Sequence, residues 1–73
     1  MTLDEIIAAV EAGKTVCWSN GNYQVVPAGY YNPAGHKVYD ILCISNGHRT
    51  GLTWMDGKTM NGKEEDFYIE GKL

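Results

Sequence analysis

The first apolar residues of the chain recur at helical spacing, at Leu3, Ile6, Ile7 and Val10. Positions i, i+3, i+4 and i+7 share one face of an α-helix, so this pattern predicts an amphipathic helix over residues 2–12. Thr2 and Glu5 have the spacing of a capping box, and Gly13 is suited to the C-terminal cap. A helix this short is not stable alone, so it must pack against another element.

Between Val38 and Trp54, apolar residues alternate on either side of Asn46-Gly47, a dipeptide suited to the type I′ turn of a β-hairpin. With a two-residue loop there, one face of the hairpin is almost entirely apolar and should form the floor of the core. The cross-strand pairs on this face are Cys43–Thr50, Ile41–Leu52 and Tyr39–Trp54. The opposite face of the first strand is also apolar, at Val38, Leu42 and Ile44. A strand that is apolar on both faces is normally covered twice, so we expect the helix to pack there.

Three further segments complete the predicted architecture. Residues 15–26 form a hairpin around Asn20-Gly21, with Trp18 opposite Tyr23 and Val16 opposite Val25. Residues 27–37 are rich in Pro and Gly and are predicted to be a loop. Residues 55–73 should contain short strands, one helical turn over residues 63–66, and a closing strand. In that strand Phe67 and Ile69 point inward and Tyr68 outward.

These elements define an α+β fold in one domain, residues 1–73. A short N-terminal helix packs on a small, curved antiparallel sheet of about five strands, which is SH3-like in size and barrel-like in curvature. In the central hairpin, residues 38–54, the first strand is apolar on both faces and should be a central strand. A chain of this length buries a limited core, so we expect a stability of a few kcal/mol.

Composition and charge mainly exclude certain partners and locations. The net charge of -3 argues against nucleic acid and against an anionic membrane surface. The acidic first residues are not a signal peptide, and the longest apolar run, residues 6–10, is too short to span a bilayer. Two cysteines without an export signal are expected to be free thiols in a reducing compartment. We therefore expect a cytoplasmic protein.

No group of residues has the spacing of a catalytic or metal site. The residues able to bind zinc lie in three segments without a typical ligand spacing, at Cys17, His36, Cys43 and His48. Both cysteines lie in predicted strands, where a thiol usually acts as a small buried apolar group. No acid, base or nucleophile is paired. The sequence therefore predicts no enzymatic activity, no metal and no cofactor.

Three tyrosines have no place in the predicted core: Tyr30, Tyr31 and Tyr68. The first two lie in a loop that two prolines partly fix, and tyrosine is enriched at protein interfaces. We expect Tyr30 and Tyr31 to anchor a protein partner. The rim of this site is predicted to consist of Tyr68, Glu64, Glu65 and Asp66. Two alternatives are that the tyrosine pair closes one end of the barrel as a lid, and that the acidic residues imitate phosphates.

Several segments resemble small uncharacterised proteins of bacteriophages and prophages. These segments are Thr2-Leu3-Asp4-Glu5-Ile6, Ala12-Gly13-Lys14-Thr15-Val16-Cys17-Trp18, Gly51-Leu52-Thr53-Trp54 and Glu65-Asp66-Phe67-Tyr68-Ile69. Proteins of this kind include inhibitors of host defence such as anti-CRISPR proteins. The resemblance implies a phage-encoded accessory factor or inhibitor in the host cytoplasm, and it assigns no functional residue.

The sequence thus predicts a non-enzymatic binding protein that acts by occupying the surface of a protein partner. The alternative is a small-barrel nucleic-acid-binding protein that combines its aromatic residues with a few basic ones. Those basic residues are Lys14, Lys37, Arg49 and Lys58.

Overall fold

The computed structural model describes residues 1–71 as one short helix packed on a five-stranded antiparallel sheet. The elements are α1 (Leu3–Glu11), β1 (Val16–Trp18), β2 (Asn20–Tyr31), β3 (Lys37–Cys43), β4 (Arg49–Gly51) and β5 (Phe67–Ile69), with a 3-10 turn over Glu64–Asp66. The strand order is β4-β3-β2-β1-β5. The predicted α+β class is confirmed, but the sheet is open at β4 and β5 and does not close into a barrel. The last two residues of the predicted 55–73 segment lie outside the described residues.

Both ends of α1 carry the predicted caps. The Thr2 hydroxyl accepts a hydrogen bond from the Glu5 N–H at 3.2 Å, and the Glu5 carboxylate accepts one from the Thr2 N–H at 2.8 Å. At the other end, Gly13 has a φ of 83°. The N–H groups of Gly13 and Lys14 donate to carbonyls of the last helical turn at 3.0 Å each. This arrangement is a Schellman motif, which ends the helix where the sequence predicted.

The helix packs on the sheet face that carries Tyr39 and Ile41. The core consists of buried side chains from the helix and this face: Ile6, Ala9, Val16, Val25, Tyr39, Ile41, Leu52 and Phe67. The opposite face of β3 and the residue that follows it are less well covered, with Val38 and Leu42 half-buried and Ile44 exposed. The prediction that α1 covers this second face is therefore wrong. A single short helix covers one face of the sheet, and the face that buries more apolar area is favoured.

The loop between β3 and β4 is longer than predicted. The Cys43 N–H donates to the His48 carbonyl at 2.8 Å, so residues 44–47 form a four-residue loop. A type I′ turn needs a positive φ at both central residues, and of Asn46 and Gly47 only the glycine has one, at 73°. The Asn46 side chain instead accepts a hydrogen bond from the His48 N–H at 2.8 Å.

The longer loop shifts the pairing of β3 and β4 by two residues. Ile41 lies opposite Thr50, and the Leu52 N–H donates to the Tyr39 carbonyl. A shift of two keeps every side chain on its predicted face, so Ile41 and Leu52 are both buried although they are not a direct pair. Trp54 is carried beyond the paired part of the sheet and is 63% exposed. The prediction that it packs opposite Tyr39 is wrong.

Strand β2 includes most of the segment predicted to be a loop. It pairs with β3 from Tyr23 to Pro27 and again, after an irregularity, at Tyr31. The loop is therefore reduced to residues 32–36. Pro27 lies opposite Tyr39, whose carbonyl accepts a hydrogen bond from Leu52 on the other side of β3. Pro27 and Tyr39 therefore form a pair without cross-strand hydrogen bonds, and the missing N–H of Pro27 is tolerated.

The closing strand agrees with the prediction, and the first hairpin does so only in part. A register shift after Cys17 places Trp18 opposite Asn20 and not opposite Tyr23, so the predicted Trp18–Tyr23 pair is wrong. The predicted turn at Asn20-Gly21 is also wrong, because both residues belong to β2. Cys17 lies opposite Gln24, which is the predicted register, and the rings of Trp18 and Tyr23 meet edge to face with centroids 5.3 Å apart. In β5, which pairs with β1, Phe67 is buried and Tyr68 exposed, as alternation requires. Ile69 is half-buried against the core. The predicted helical turn is the 3-10 turn before β5.

Candidate functional site

Most of the large exposed apolar and aromatic side chains of the described residues lie around one cavity. Six such side chains are exposed, and four of them line this cavity: Tyr30, Tyr31, Trp54 and Met55, which are exposed by 60%, 67%, 63% and 105%. The other two, Ile44 and Tyr68, do not line it. We call the surface formed by Tyr30, Tyr31, Trp54 and Met55 the aromatic patch.

The cavity beneath the aromatic patch has a volume of about 290 Å³. Its walls come from three segments: the end of β2 with the residues that follow, the start of β3, and the chain after β4. Ligand pockets in proteins usually measure about 300–1,000 Å³. The cavity lies just below that range, which suits one side chain or a small ligand.

A bulge at the end of β2 exposes the two tyrosines. The pairing with β3 is irregular between Pro27 and Tyr31, and Gly29 within this stretch has a φ of 94°. Between the Pro27–Tyr39 and Tyr31–Lys37 pairs, β2 has two more residues than β3, and a bulge of this kind bends the strand locally. Strict alternation would direct consecutive residues to opposite faces, whereas here both Tyr30 and Tyr31 are exposed and line the same cavity.

Trp54 and Met55 belong to a tight loop, residues 54–59, which we call the tip loop. The Trp54 N–H donates to the Thr59 carbonyl at 2.8 Å. Within the loop, the Asp56 carboxylate accepts hydrogen bonds from the N–H groups of Lys58 and Thr59 and, at 2.6 Å, from the Thr59 hydroxyl. These bonds, the Thr59 hydroxyl first, lower the pKa of Asp56 to about 2. The carboxylate therefore fixes the loop that carries the exposed tryptophan.

Asp40 is the carboxylate in the cavity wall. Its side chain is only 16% exposed. Its ionic partner among residues 1–71 is Arg49, with Nη1 3.5 Å from Oδ2, and the Arg49 side chain is itself half-exposed. A carboxylate has about four lone-pair positions for hydrogen-bond donors, so Asp40 can accept further donors from the cavity.

Tyr39 forms another wall of the cavity and links β3 to the helix. Its hydroxyl donates to Glu11 Oε2 at 2.6 Å, and Lys37 Nζ lies 3.0 Å from the same oxygen. Burial, followed by the bond to Glu11, raises the pKa of Tyr39 to about 12. The same hydrogen bond, followed by that of Lys37, lowers the pKa of Glu11. Tyr39 therefore stays protonated near neutral pH and acts as a fixed part of the wall.

The residues predicted to form one site are separated in the structure. Tyr30 and Tyr31 lie at the far end of the twelve-residue strand β2. Glu64, Glu65 and Asp66 form the 3-10 turn near its start, where the Ser19 N–H donates to the Asp66 carbonyl at 2.8 Å. Tyr68 lies on the edge strand β5. Neither Tyr68 nor the acidic turn borders the cavity. Tyr30 and Tyr31 are as exposed as surface residues, which argues against the alternative that they close one end of the sheet as a lid.

Three residues of the site were missed from the sequence. Trp54 was assigned to the core, and neither Met55 nor Asp40 was given a role. The turn-forming pair Asp56-Gly57 indicates that Trp54 is exposed, because a turn so soon after the tryptophan leaves too short a strand to bury its side chain. Nothing in the sequence indicates that Asp40 lies beside the tyrosines.

The two cysteines are buried and free, and they differ in environment. Burial raises the pKa of Cys17. Hydrogen bonds, that of Ser45 first, lower the pKa of Cys43, and Asn22 Nδ2 also lies 3.4 Å from its sulfur. Within residues 1–71, no three His, Cys, Asp or Glu side chains are grouped so as to hold a metal ion. In the same part of the chain, no helix is long and apolar enough to cross a membrane.

Comparison of the chain with models of known protein families, with curated proteins and with solved structures gave no significant match. The function is therefore inferred from the residues of the site.

Proposed function

We propose that the protein is a non-enzymatic binding protein that recognises a protein partner through the aromatic patch. The observation that carries this proposal is the convergence of four exposed aromatic and apolar side chains on one cavity. Exposed apolar side chains are unremarkable when they are scattered, but a contiguous group marks an interaction surface. Tyrosine, tryptophan and methionine are the residues enriched at such surfaces.

The patch is also held in place before any partner binds. Tyr31 follows a strand bulge and pairs with Lys37, and Trp54 belongs to a loop fixed by the Asp56 carboxylate. Ordering a mobile side chain at an interface costs about 0.5–1.5 kcal/mol. A patch whose backbone is already fixed loses less entropy on binding, which favours its aromatic residues as binding hot spots.

The resemblance to small phage and prophage proteins gives this proposal a specific form. In that form the protein is an accessory factor or inhibitor in the cytoplasm of the host, and it acts by occupying the surface of a host protein. The absence of any paired acid, base or nucleophile in the sequence supports occupation of a surface over catalysis.

Binding of single-stranded nucleic acid is the second candidate, because exposed aromatic rings can stack on bases. The charges favour a protein partner. Of the four basic residues considered for this role, Lys37 is paired with Glu11 and Arg49 with Asp40. With a net charge of -3, the remaining basic residues provide little attraction for phosphates.

Paired substitutions test the proposed function. The double variant Tyr30→Ser/Tyr31→Ser removes two exposed rings of the patch, and Tyr68→Ser removes an exposed tyrosine outside it. Proteins captured from a lysate by the wild type are identified, and the affinity of the purified partner is measured by calorimetry. We expect the double variant to bind more than tenfold more weakly, about 1.4 kcal/mol, and Tyr68→Ser to bind like the wild type.

The melting temperature provides the control for folding. It should change by no more than a few degrees in either variant, because none of these tyrosines belongs to the core. Unfolding of the double variant would show that the tyrosine pair is structural. A folded double variant that binds normally would place the interface elsewhere. Retention on single-stranded DNA that falls with added salt and is lost in the double variant would favour nucleic acid.

A further inference from the structure

We propose that the cavity beneath the aromatic patch receives a cationic side chain, arginine or lysine, presented by the protein partner. This inference rests on the proposed binding function and names the chemistry of the group that is bound. It is carried by aromatic rings and a largely buried carboxylate in the walls of one small cavity.

Three exposed aromatic residues line the cavity, Tyr30, Tyr31 and Trp54, and the buried Tyr39 borders it. The faces of aromatic rings carry negative charge density and attract ammonium and guanidinium groups within about 6 Å. Among residues 1–71, the aromatic pair in contact is Trp18 with Tyr23, outside this cavity. The cavity rings therefore do not stack on one another, and the exposed rings of Tyr30, Tyr31 and Trp54 can present their faces to a ligand. Lys37 Nζ already lies 5.8 Å from the centroid of the Tyr39 ring.

Asp40 supplies the negative charge that a cation in the cavity would neutralise. Its side chain is only 16% exposed, so its charge is screened less by water than that of a surface carboxylate. Its contact with Arg49 is long, at 3.5 Å, and involves one of its two oxygens. The second oxygen can accept a donor from the cavity. An apolar group in the cavity would leave this carboxylate without such a donor, which favours a cationic occupant.

The size of the cavity and the net charge of the protein also favour a single cationic side chain as the occupant. A volume of about 290 Å³ suits one side chain better than a folded segment. The net charge of -3 attracts a basic partner at long range. Arg49, which is half-exposed, is an internal competitor for Asp40, because it already places a guanidinium group against that carboxylate.

A pair of capped tripeptides that differ in charge tests the inference. The probes are acetyl-Gly-Arg-Gly-amide and the same peptide with citrulline, a neutral group of nearly the same shape. Binding to the wild-type protein is followed by NMR. We expect the indole N–H signal of Trp54 to shift with the arginine peptide, and its affinity to exceed that of the citrulline peptide by at least about fivefold. The indole N–H of Trp18, buried beside Gly62, should not shift.

Two variants that break the same ion pair show whether the carboxylate itself contacts the ligand. Asp40→Asn removes the charge from the cavity wall and should weaken the arginine peptide by at least about fivefold. Arg49→Gln also breaks the pair but leaves the carboxylate without its competitor, so the affinity should stay equal or rise. If both variants weaken binding alike, the ion pair has only a structural role and the inference is overturned.

The remaining outcomes separate this inference from the proposed function. Equal binding of the arginine and citrulline peptides would show that the cavity selects shape and not charge, so the inference would fail while the patch remained a binding surface. If neither peptide shifts Trp54, the cavity does not take a cation, and the proposed function is then judged by the tyrosine variants alone. If the Trp54 signal responds only to single-stranded DNA, the partner is a nucleic acid and this inference is overturned.

Discussion

The two buried thiols show how strongly the environment of one residue controls its chemistry. Cys17 is completely buried, and burial raises its pKa because a thiolate is costly to form away from water. Cys43 is 8% exposed and lies at the end of β3, where hydrogen bonds from Ser45 and its neighbours lower its pKa. Because the thiolate is the reactive form, the two residues should differ in reactivity.

We predict that both cysteines of the native protein react slowly with a thiol reagent, and that Cys43 reacts before Cys17. Labelling over time at neutral pH, followed by mass spectrometry of the digested protein, measures the two rates. Cys17→Ser and Cys43→Ser assign each rate to its residue, and denaturant should make the two rates similar. Faster labelling of Cys17 in the native protein would contradict the burial and hydrogen bonding described above.

The tip loop is the element whose conformation depends most directly on one ionised group. Three hydrogen bonds within the loop end on the Asp56 carboxylate, and the loop in turn positions Trp54 and Met55. The pKa of Asp56 is lowered from its ordinary value of 3.8 to about 2. A lowered pKa means that the ionised carboxylate stabilises the native loop. This stabilisation is present above pH 3.8 and is lost as the pH falls through about 2.

We predict that the amide proton signals of Lys58 and Thr59 titrate with a midpoint near pH 2, and that the Trp54 indole signal changes with them. NMR spectra recorded from pH 5 to pH 1.5 measure these shifts. Asp56→Asn should abolish the titration and loosen the loop already at neutral pH. Glu65→Gln removes an exposed carboxyl group outside the loop and should leave these signals unchanged. A midpoint close to 4 would show that the hydrogen bonds do not form in solution.

At the scale of the whole molecule, stability depends on one apolar layer between α1 and a single face of the sheet. Among residues 1–71 no helix covers the other face, and its β3 residues Val38 and Leu42 are only half-buried. A small domain of this kind has few buried side chains to share its stability, so each matters. Leu52 is among the most buried, at 1% exposure.

We predict that Leu52→Ala lowers the free energy of unfolding by about 2–5 kcal/mol, which approaches the whole stability of a domain of this size. Chemical denaturation of the purified variant measures the loss. Leu42→Ala removes the same atoms from the less covered face and should cost clearly less. A loss below about 0.5 kcal/mol for Leu52→Ala would be typical of a surface position and would contradict the packing of the core.

The sequence by itself determined the features that depend on neighbouring residues. The caps of α1 follow from Thr2, Glu5 and Gly13, because each acts within one turn of the helix. The inward side chain of Phe67 and the outward one of Tyr68 follow from strand alternation. The sequence also left Tyr30 and Tyr31 outside the predicted core, but it did not decide between a binding surface and a lid, and it missed that they belong to β2.

The tertiary structure alone decided the side of the sheet that α1 covers, the register of β3 with β4, and the composition of the site. Both faces of β3 carry apolar residues, although Asp40 interrupts the second one, and the total packing selected between them. Loops of two and four residues keep the side chains on the same faces, so the alternating pattern could not distinguish their registers. That shift of two residues moved Trp54 out of the core. Three separate segments then met through the pairing of β2, β3 and β4, which brought Asp40 to the tyrosines.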